Sequence, residues 1–178
     1  KYENGLLIPT NSPELALAKG QGGALVVVKK EVALNHKAAQ FRFEVSKYAG
    51  FDDNLTYRIA SVGEPGKVLG NNDSGENNAR IVAEEVNENN RGQYWNIKTI
   101  DLTTFAVENA FYGQNFDDGG DNASIDYLLQ WPAVAGIWNN AKFRFEPVEG
   151  RVGTYIIVSA GKDGMYALKE GRMSLVEK

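Results

Sequence analysis

One short segment is written three times in this chain: FRFEV at 41–45, YWNIK at 94–98 and FRFEP at 143–147. The starts lie about 53 and about 49 residues apart, and a period of that order marks a repeat architecture. In such a chain each unit is too small to hide its own apolar face, so the units must pack on one another. Each copy follows a polar residue: Gln40, Gln93 or Lys142. Phe41, Phe43 and Val45 alternate with Arg42 and Glu44, and Phe143 and Phe145 flank Arg144. A period of two buries one face of a strand and wets the other. A fold made of equivalent units presents equivalent loops, which favours binding over catalysis.

The stretches between the copies repeat too. Gly70, Asn71, Asn72, Asp73, Ser74 and Gly75 lead to Asn78-Ala79-Arg80-Ile81, and Gly113, Gln114, Asn115, Asp117, Asp118 and Gly119 lead to Asn122-Ala123-Ser124-Ile125. A weaker copy, Gly20-Gln21-Gly22, leads to Gly23-Ala24-Leu25-Val26. Gly and Asn supply the positive φ of tight turns, and Asx side chains cap their own turns. Strand-like runs are dense: LVVVKKEVAL (25–34), TYRIAS (56–61), KVLG (67–70), RIVAEEV (80–86), TFAVEN (104–109), AFYG (110–113), IDYLLQW (125–131), TYIIVSA (154–160), MYALK (165–169) and SLVEK (174–178). They are short, β-branched or aromatic, and bounded by turn residues. Helix signals are thin, with one turn over 14–19 and another over 133–137. The reading is all-β. TYRIAS, KVLG, RIVAEEV and YWNIK make one four-stranded unit, and three such units predict about twelve strands in a β-trefoil with pseudo-threefold symmetry.

The length of 178 residues fits a single domain, 1–178, and buries a substantial core. No apolar run is long enough for a membrane span. The net charge is −4, and Lys29-Lys30 is followed at once by Glu31, so no basic stripe offers itself to nucleic acid. Without cysteine, the fold relies on neither disulfides nor thiolate metal sites. The start at Lys1 rather than Met points to a processed or trimmed N-terminus, with an extracellular, periplasmic or cell-surface location as the expectation.

With these residues in place, the chain resembles the ricin-type β-trefoil lectins. Their signature is Gln-x-Trp near the end of each unit: Gln93-Tyr94-Trp95 matches it literally, and Gln40-Phe41-Arg42 and Lys142-Phe143-Arg144 are degenerate copies. The family's Asn-Ala step into a strand ending Leu-Trp-Pro is echoed by Asn122-Ala123 ahead of Leu129-Gln130-Trp131-Pro132. The resemblance runs over most of 24–178. It implies shallow sugar pockets, one potential pocket per unit, with an aspartate on the second strand of a unit binding vicinal hydroxyls. The matching stretches KVLG, AFYG and MYALK carry no acid at that place, and Asp73, Asp117 and Asp118 come a few residues later. Both ends of the chain look like the first three strands of a unit, one partial unit too many. The expected division is 21–50, 51–100 and 101–150, with 151–178 completing the barrel and 1–20 packed outside it.

A sugar ring stacks its C–H face on an aromatic ring while its hydroxyls pair with Asn, Asp and Gln. The candidate carbohydrate-binding residues are therefore Asn71, Asn72, Asp73, Asn78, Tyr112, Asn115, Asp117, Asn122, Trp131 and Trp138. Tyr112 and Phe116 flank an Asx-rich turn, and Trp138 stands in the polar sequence Trp138-Asn139-Asn140. Trp131 reads equally well as core or platform, and Trp95 reads as core. No cofactor is expected. Asp117, Asp118 and Asp121 offer hard oxygen ligands that calcium prefers, but their spacing does not match the EF-hand loop. The lone histidine, His36, lies in a polar turn with no Gly-x-Ser-x-Gly elbow elsewhere, and reads as a surface residue. Glycosidases need two facing carboxylates. The adjacent pairs Asp52-Asp53, Glu84-Glu85 and Asp117-Asp118 read instead as turn and solvent residues. A glycan or polysaccharide is the expected partner. A protein-binding or inhibitor trefoil is the alternative, and a glycoside hydrolase the third reading.

Overall fold

The three signature segments run as barrel strands from Phe41, Trp95 and Phe143 onward. A computed structural model describes residues 4–48, 55–119, 127–133 and 136–148, together with the backbone of three later strands. The elements run β1 (Gly5–Pro9), β2 (Leu15–Lys19), β3 (Leu25–Lys29), the one-turn helix α1 (Lys30–Ala33), β4 (Phe41–Ser46), β5 (Thr56–Ser61), β6 (Lys67–Gly70), β7 (Val82–Glu85) and β8 (Trp95–Thr99). They continue β9 (Phe105–Asn109), β10 (Gln114–Asp117), β11 (Leu129–Pro132), β12 (Phe143–Pro147), β13 (Ile156–Ser159), β14 (Met165–Lys169) and β15 (Arg172–Val176).

Strand pairing closes a ring. β1 pairs with β12 on one side and β4 on the other; β4 then pairs with β5, β5 with β8, β8 with β9, and β9 with β12. Closure removes the edges that an open sheet would expose. The hairpins β2–β3, β6–β7 and β10–β11 supply the other six strands. Six barrel strands and three hairpins, twelve in all, are the β-trefoil.

The pseudo-threefold axis is visible as a triangle of backbone hydrogen bonds. Leu25 N–H donates to Ile81 O (3.1 Å), Ile81 N–H to Leu128 O (2.9 Å), and Leu128 N–H to Leu25 O (2.6 Å). The core is layered about it by equivalent side chains: Phe41, Trp95 and Phe143; Phe43, Ile97 and Phe145; Leu7, Ile59 and Val107; Leu17, Leu69 and Phe116. No single unit could enclose these rings alone, and burying each removes roughly 1.5–3 kcal/mol of apolar exposure. On the wet face of β4 and β12, Arg42 pairs with Glu44 and Arg144 with Glu146, contacts worth little in water.

Several expectations are corrected by this pairing. Residues 5–9, expected outside the barrel, are one of its staves, and every residue of β1 is buried. The C-terminal strands, expected to complete the barrel, pair among the described residues with one another as β13–β14–β15 and with no barrel strand. The units of the barrel are therefore 5–46, 56–99 and 105–147. The 14–19 stretch is strand β2 rather than a helical turn, because its alternation Leu15, Leu17, Lys19 suits a hairpin lying against β3. The run LVVVKKEVAL stops being a strand at Lys29 and turns into α1. AFYG is a turn, and the second strand of that unit is QNFD. Residues 134 and 135 of the second expected helical turn lie outside the described residues.

The Gln-x-Trp register also shifts by one. A 3₁₀ turn precedes each signature strand, over Lys37–Ala39, Arg91–Gln93 and Asn139–Ala141. Gln93 is thus matched by Ala39 and Ala141, not by Gln40 and Lys142, and Trp95 by Phe41 and Phe143. Gln93 is fully buried and structural: it donates to Glu85 O (2.7 Å) and Glu84 Oε1 (3.1 Å) and accepts from Asn87 N–H (2.9 Å).

Gly5 sits at the barrel position filled by Tyr57 and Phe105 in the other units. A Cβ there would overlap the Phe145 ring and stand 2.7 Å from Glu146 O. The large Phe145 takes the space that Gly5 leaves. Gly5→Ala is expected to destabilise the fold by about 1–3 kcal/mol through overpacking, read as a lower urea midpoint at unchanged m-value.

Candidate functional site

Residues at alternate positions of a strand share a face, so on β10 the core-facing Phe116 leaves Asn115 and Asp117 on the outer side. Across the hairpin Asn115 is registered with Trp131. The 3₁₀ turn of the same unit docks against the end of β10, with Asp118 N–H donating to Asn140 O (2.9 Å). This brings Trp138 and Asn140 beside the hairpin. The result is a cavity of about 290 Å³ whose lining includes Asn115, Asp117, Trp131, Trp138 and Asn140, with Asn78 from the preceding unit. Trp131 is 43% and Trp138 62% exposed, large values for indoles in a folded domain.

Asp117 is the fixed point of this cavity. Its Oδ1 accepts from Gly119 N–H (2.7 Å), and the Asn140 Nδ2 donates to both carboxylate oxygens (2.9 and 3.0 Å). Partial burial pushes its pKa above the ordinary aspartate value, opposed by those two donors. Among the described residues lining the cavity it is the only ionisable group. Asp118 points elsewhere, is buried, and accepts from Asn11 Nδ2 (3.2 Å). The neighbouring acids of the calcium expectation therefore diverge; Asp121 lies outside the described residues, and no cluster of three metal-ligating side chains occurs among the described ones.

The threefold equivalence shows what the other units hold at the same places. Asp117, Trp131, Trp138 and Asn140 of the third unit correspond to Gly70, Glu84, Asn90 and Gly92 in the second. There the Glu84 carboxylate lies over Gly70, where any added Cβ would collide with Glu84 Oε1, and Asn90 Nδ2 donates to the same oxygen (3.0 Å). Burial raises the Glu84 pKa, opposed by Gln93, the Asn72 backbone and Asn90. In the first unit the positions are Ala18, Val28, His36 and Ala38. Ala18 and Val28 belong to a small apolar cluster with Leu6, Ile8, Ala16, Ala33 and Ala39, which α1 helps to cover. His36 is exposed, at the head of a 3₁₀ turn. The second unit fills its place with a carboxylate and the first with aliphatic side chains.

Of the residues singled out from sequence, Asn78, Asn115, Asp117, Trp131 and Trp138 meet at this cavity. Asn71, Asn72, Asp73 and Tyr112 do not. Asn71 is buried, donating to Gln130 Oε1 (2.7 Å) and accepting from Ser74 N–H (3.2 Å), so it holds its own loop. Tyr112 donates to Asp73 Oδ1 (2.8 Å) and lies against Gly75, and burial with that bond raises its pKa. Gln114 and Gln130 complete the clamp, donating to Gly75 O (2.7 Å) and to Ser74 and Glu76 O (2.9 and 2.7 Å). Asn72, Asp73 and Asn78 adopt φ of 56°, 55° and 64°, which Asn and Asp tolerate better than other side chains. Phe116 is core, packed on Trp95 at 4.7 Å. Asn122 lies outside the described residues, as do Asp52 and Asp53. Asn140 was missed; its signal was its place two residues after Trp138, on the turn that leads into each barrel strand.

This geometry agrees with solved structures. A designed threefold-symmetric protein, ThreeFoil, superposes with a TM-score of 0.64 at 17% identity, covering 80% of this chain and 96% of that one. The Rhizoctonia solani agglutinin matches at 0.64 and 15%, covering 83% and 96%. A Polyporus squamosus lectin, solved with an influenza-binding sialylated epitope, matches at 0.66 and 11%, covering 82% of this chain and 49% of that one. These likenesses show the β-trefoil fold. No protein-family profile matches the chain, and no curated protein matches it in sequence. No helix among the described residues is long and apolar enough to cross a membrane.

Proposed function

We propose that this protein is a non-catalytic β-trefoil that binds carbohydrate through a single pocket in its third unit. The observation that carries the reading is a carboxylate fixed by two donors beside two exposed indoles in one cavity. Ligand sites join a few placed polar groups to apolar walls. Here Asp117 accepts hydrogen bonds from sugar hydroxyls, Asn140 offers its side-chain carbonyl oxygen, and an indole receives the C–H face of the ring. The resemblance to the ricin-type lectins assigns hydroxyl binding to an aspartate on the second strand of a unit, and Asp117 ends that strand. Two of the similar structures are a lectin and an agglutinin by name, which supports the same reading. One anchored acid suits binding, whereas glycoside hydrolysis uses two carboxylates that face each other across the bond. A glycan ligand is met outside the cell or on its surface, and the reading carries that location.

A glycan array followed by calorimetry tests it. Binding with one sugar site per chain is expected, because the equivalents of Asp117 are Gly70 and Ala18. Two or three sites per chain would refute the single-pocket assignment. Silence across the array and in affinity electrophoresis, at concentrations where millimolar binding registers, would refute the function itself.

A further inference from the structure

Two indoles, both exposed, line the same pocket. Trp131 rises from the hairpin face that also bears Asn115 and Asp117, while Trp138 stands at the head of the 3₁₀ turn that bears Asn140. The hydrogen-bonded Asp117–Asn140 pair joins these two elements. Trp131 lies diagonally across the hairpin from Asp117, a separation of about 7–8 Å between backbones. Trp138 lies two residues from Asn140 on the other element. The polar anchor thus joins two elements that each carry an exposed indole. A ring bonded to Asp117 and stacked on Trp131 leaves Trp138 to the next ring of a chain. No Lys or Arg is among the described residues lining the cavity, and its one charge is a carboxylate, so an anionic ligand group meets no countercharge and one like charge.

We infer that the natural ligand is a neutral oligosaccharide of at least two residues, with Trp131 seating the first ring and Trp138 the second. This rests on the carbohydrate reading of the same pocket. Exposed apolar surface on both indoles becomes covered only by a ligand of that length, and each stacked ring excludes water from one face.

Tryptophan fluorescence and calorimetry on the whole chain can test this with N-acetylglucosamine, chitobiose and chitotetraose, with galactose and lactose, and with sialyllactose beside lactose. In the series that binds, the disaccharide is expected to bind about tenfold more tightly than its monosaccharide. The sialylated sugar is expected to bind at least tenfold more weakly than lactose or not at all. Trp138→Ala is expected to erase the disaccharide advantage, so that one and two rings bind alike, and Trp131→Ala to abolish binding of both. Equal affinity for one and two rings, an advantage that survives Trp138→Ala, or tighter binding of the sialylated sugar would overturn the inference while leaving the carbohydrate reading intact. If neither these probes nor the array yields a ligand, the carbohydrate reading itself fails, and this inference with it.

Discussion

Asp117→Asn is expected to weaken sugar binding about 10- to 100-fold, with little change in melting temperature. Hydrogen bonds to an ionised acceptor contribute about 1.5–3 kcal/mol, and the asparagine keeps the shape but loses the charge and one acceptor. The carboxamide oxygen still receives Asn140 Nδ2, so the turn stays docked on β10. The same logic predicts the pH profile. Burial raises the Asp117 pKa above the ordinary aspartate value of about 3.9. As pH falls, the carboxylate is protonated earlier than a free aspartate would be, and affinity falls with a midpoint above that value. For folding the sign is opposite. A carboxyl whose folded pKa is raised holds its proton more tightly when folded, so its contribution to stability grows as pH falls through the folded pKa. Glu84, raised by burial in the second unit, acts in the same direction. Titration by calorimetry and circular dichroism should therefore show sugar affinity lost on acidification over a range in which Asp117 and Glu84 add to stability, and Asp117→Asn should lose that pH dependence of affinity. An affinity indifferent to Asp117→Asn would remove the acid from the site.

Trp95→Ala is expected to be the more damaging to the fold. Trp95 is fully buried, packs edge-on against Phe116 at 4.7 Å, and its Nε1–H donates to Leu69 O at 2.9 Å. Truncating a buried Trp costs about 3–5 kcal/mol, and the Leu69 carbonyl loses the indole donor as well. A fall in melting temperature of roughly 10 °C or more follows for a chain of this size. Trp95→Phe is the informative companion. Phe41 and Phe143 already occupy the two equivalent places, so phenylalanine fits the layer, and the cost reduces to the hydrogen bond and the smaller volume, about 1–2 kcal/mol. Equal damage from both substitutions would contradict the threefold equivalence of these positions.

Much of the fold was legible because periodicity survives at the core. Phe41, Trp95 and Phe143 are large wherever a ring must fill the axis, and a period of two marks each barrel strand. Register was less legible. A one-residue shift between Gln40 and Gln93 leaves the composition unchanged, and only the 3₁₀ turns, seen in space, set Gln93 against Ala39 and Ala141. The same error hid the acid of the third unit: read as AFYG, the second strand had none, whereas strand QNFD ends in Asp117. Four of the candidate residues, Asn71, Asn72, Asp73 and Tyr112, missed the cavity because Asn and Asp serve two purposes. Asn71, Asp73 and Tyr112 have the chemistry of a sugar site, but they spend it tying one loop to the next unit.

The amino-acid order by itself determined that the chain is a β-trefoil built from repeated four-stranded units, because burying an apolar face demands alternation and alternation is written locally. It also supplied the aromatic and Asx residues from which a sugar site can be made. Which terminus closes the barrel was decided only in three dimensions, because both ends carry the same three-strand pattern and the choice lies in long-range pairing of β1 with β12. Tertiary packing also decided what stands at the three equivalent places among the described residues: an open cavity beside Asp117 in the third unit, the Glu84 carboxylate over Gly70 in the second, and an apolar cluster with Ala18 and Val28 in the first. Those differences depend on which side chains the strand pairings set opposite one another, Glu84 near Gly70 and Val28 near Ala18, and no local segment carries that information.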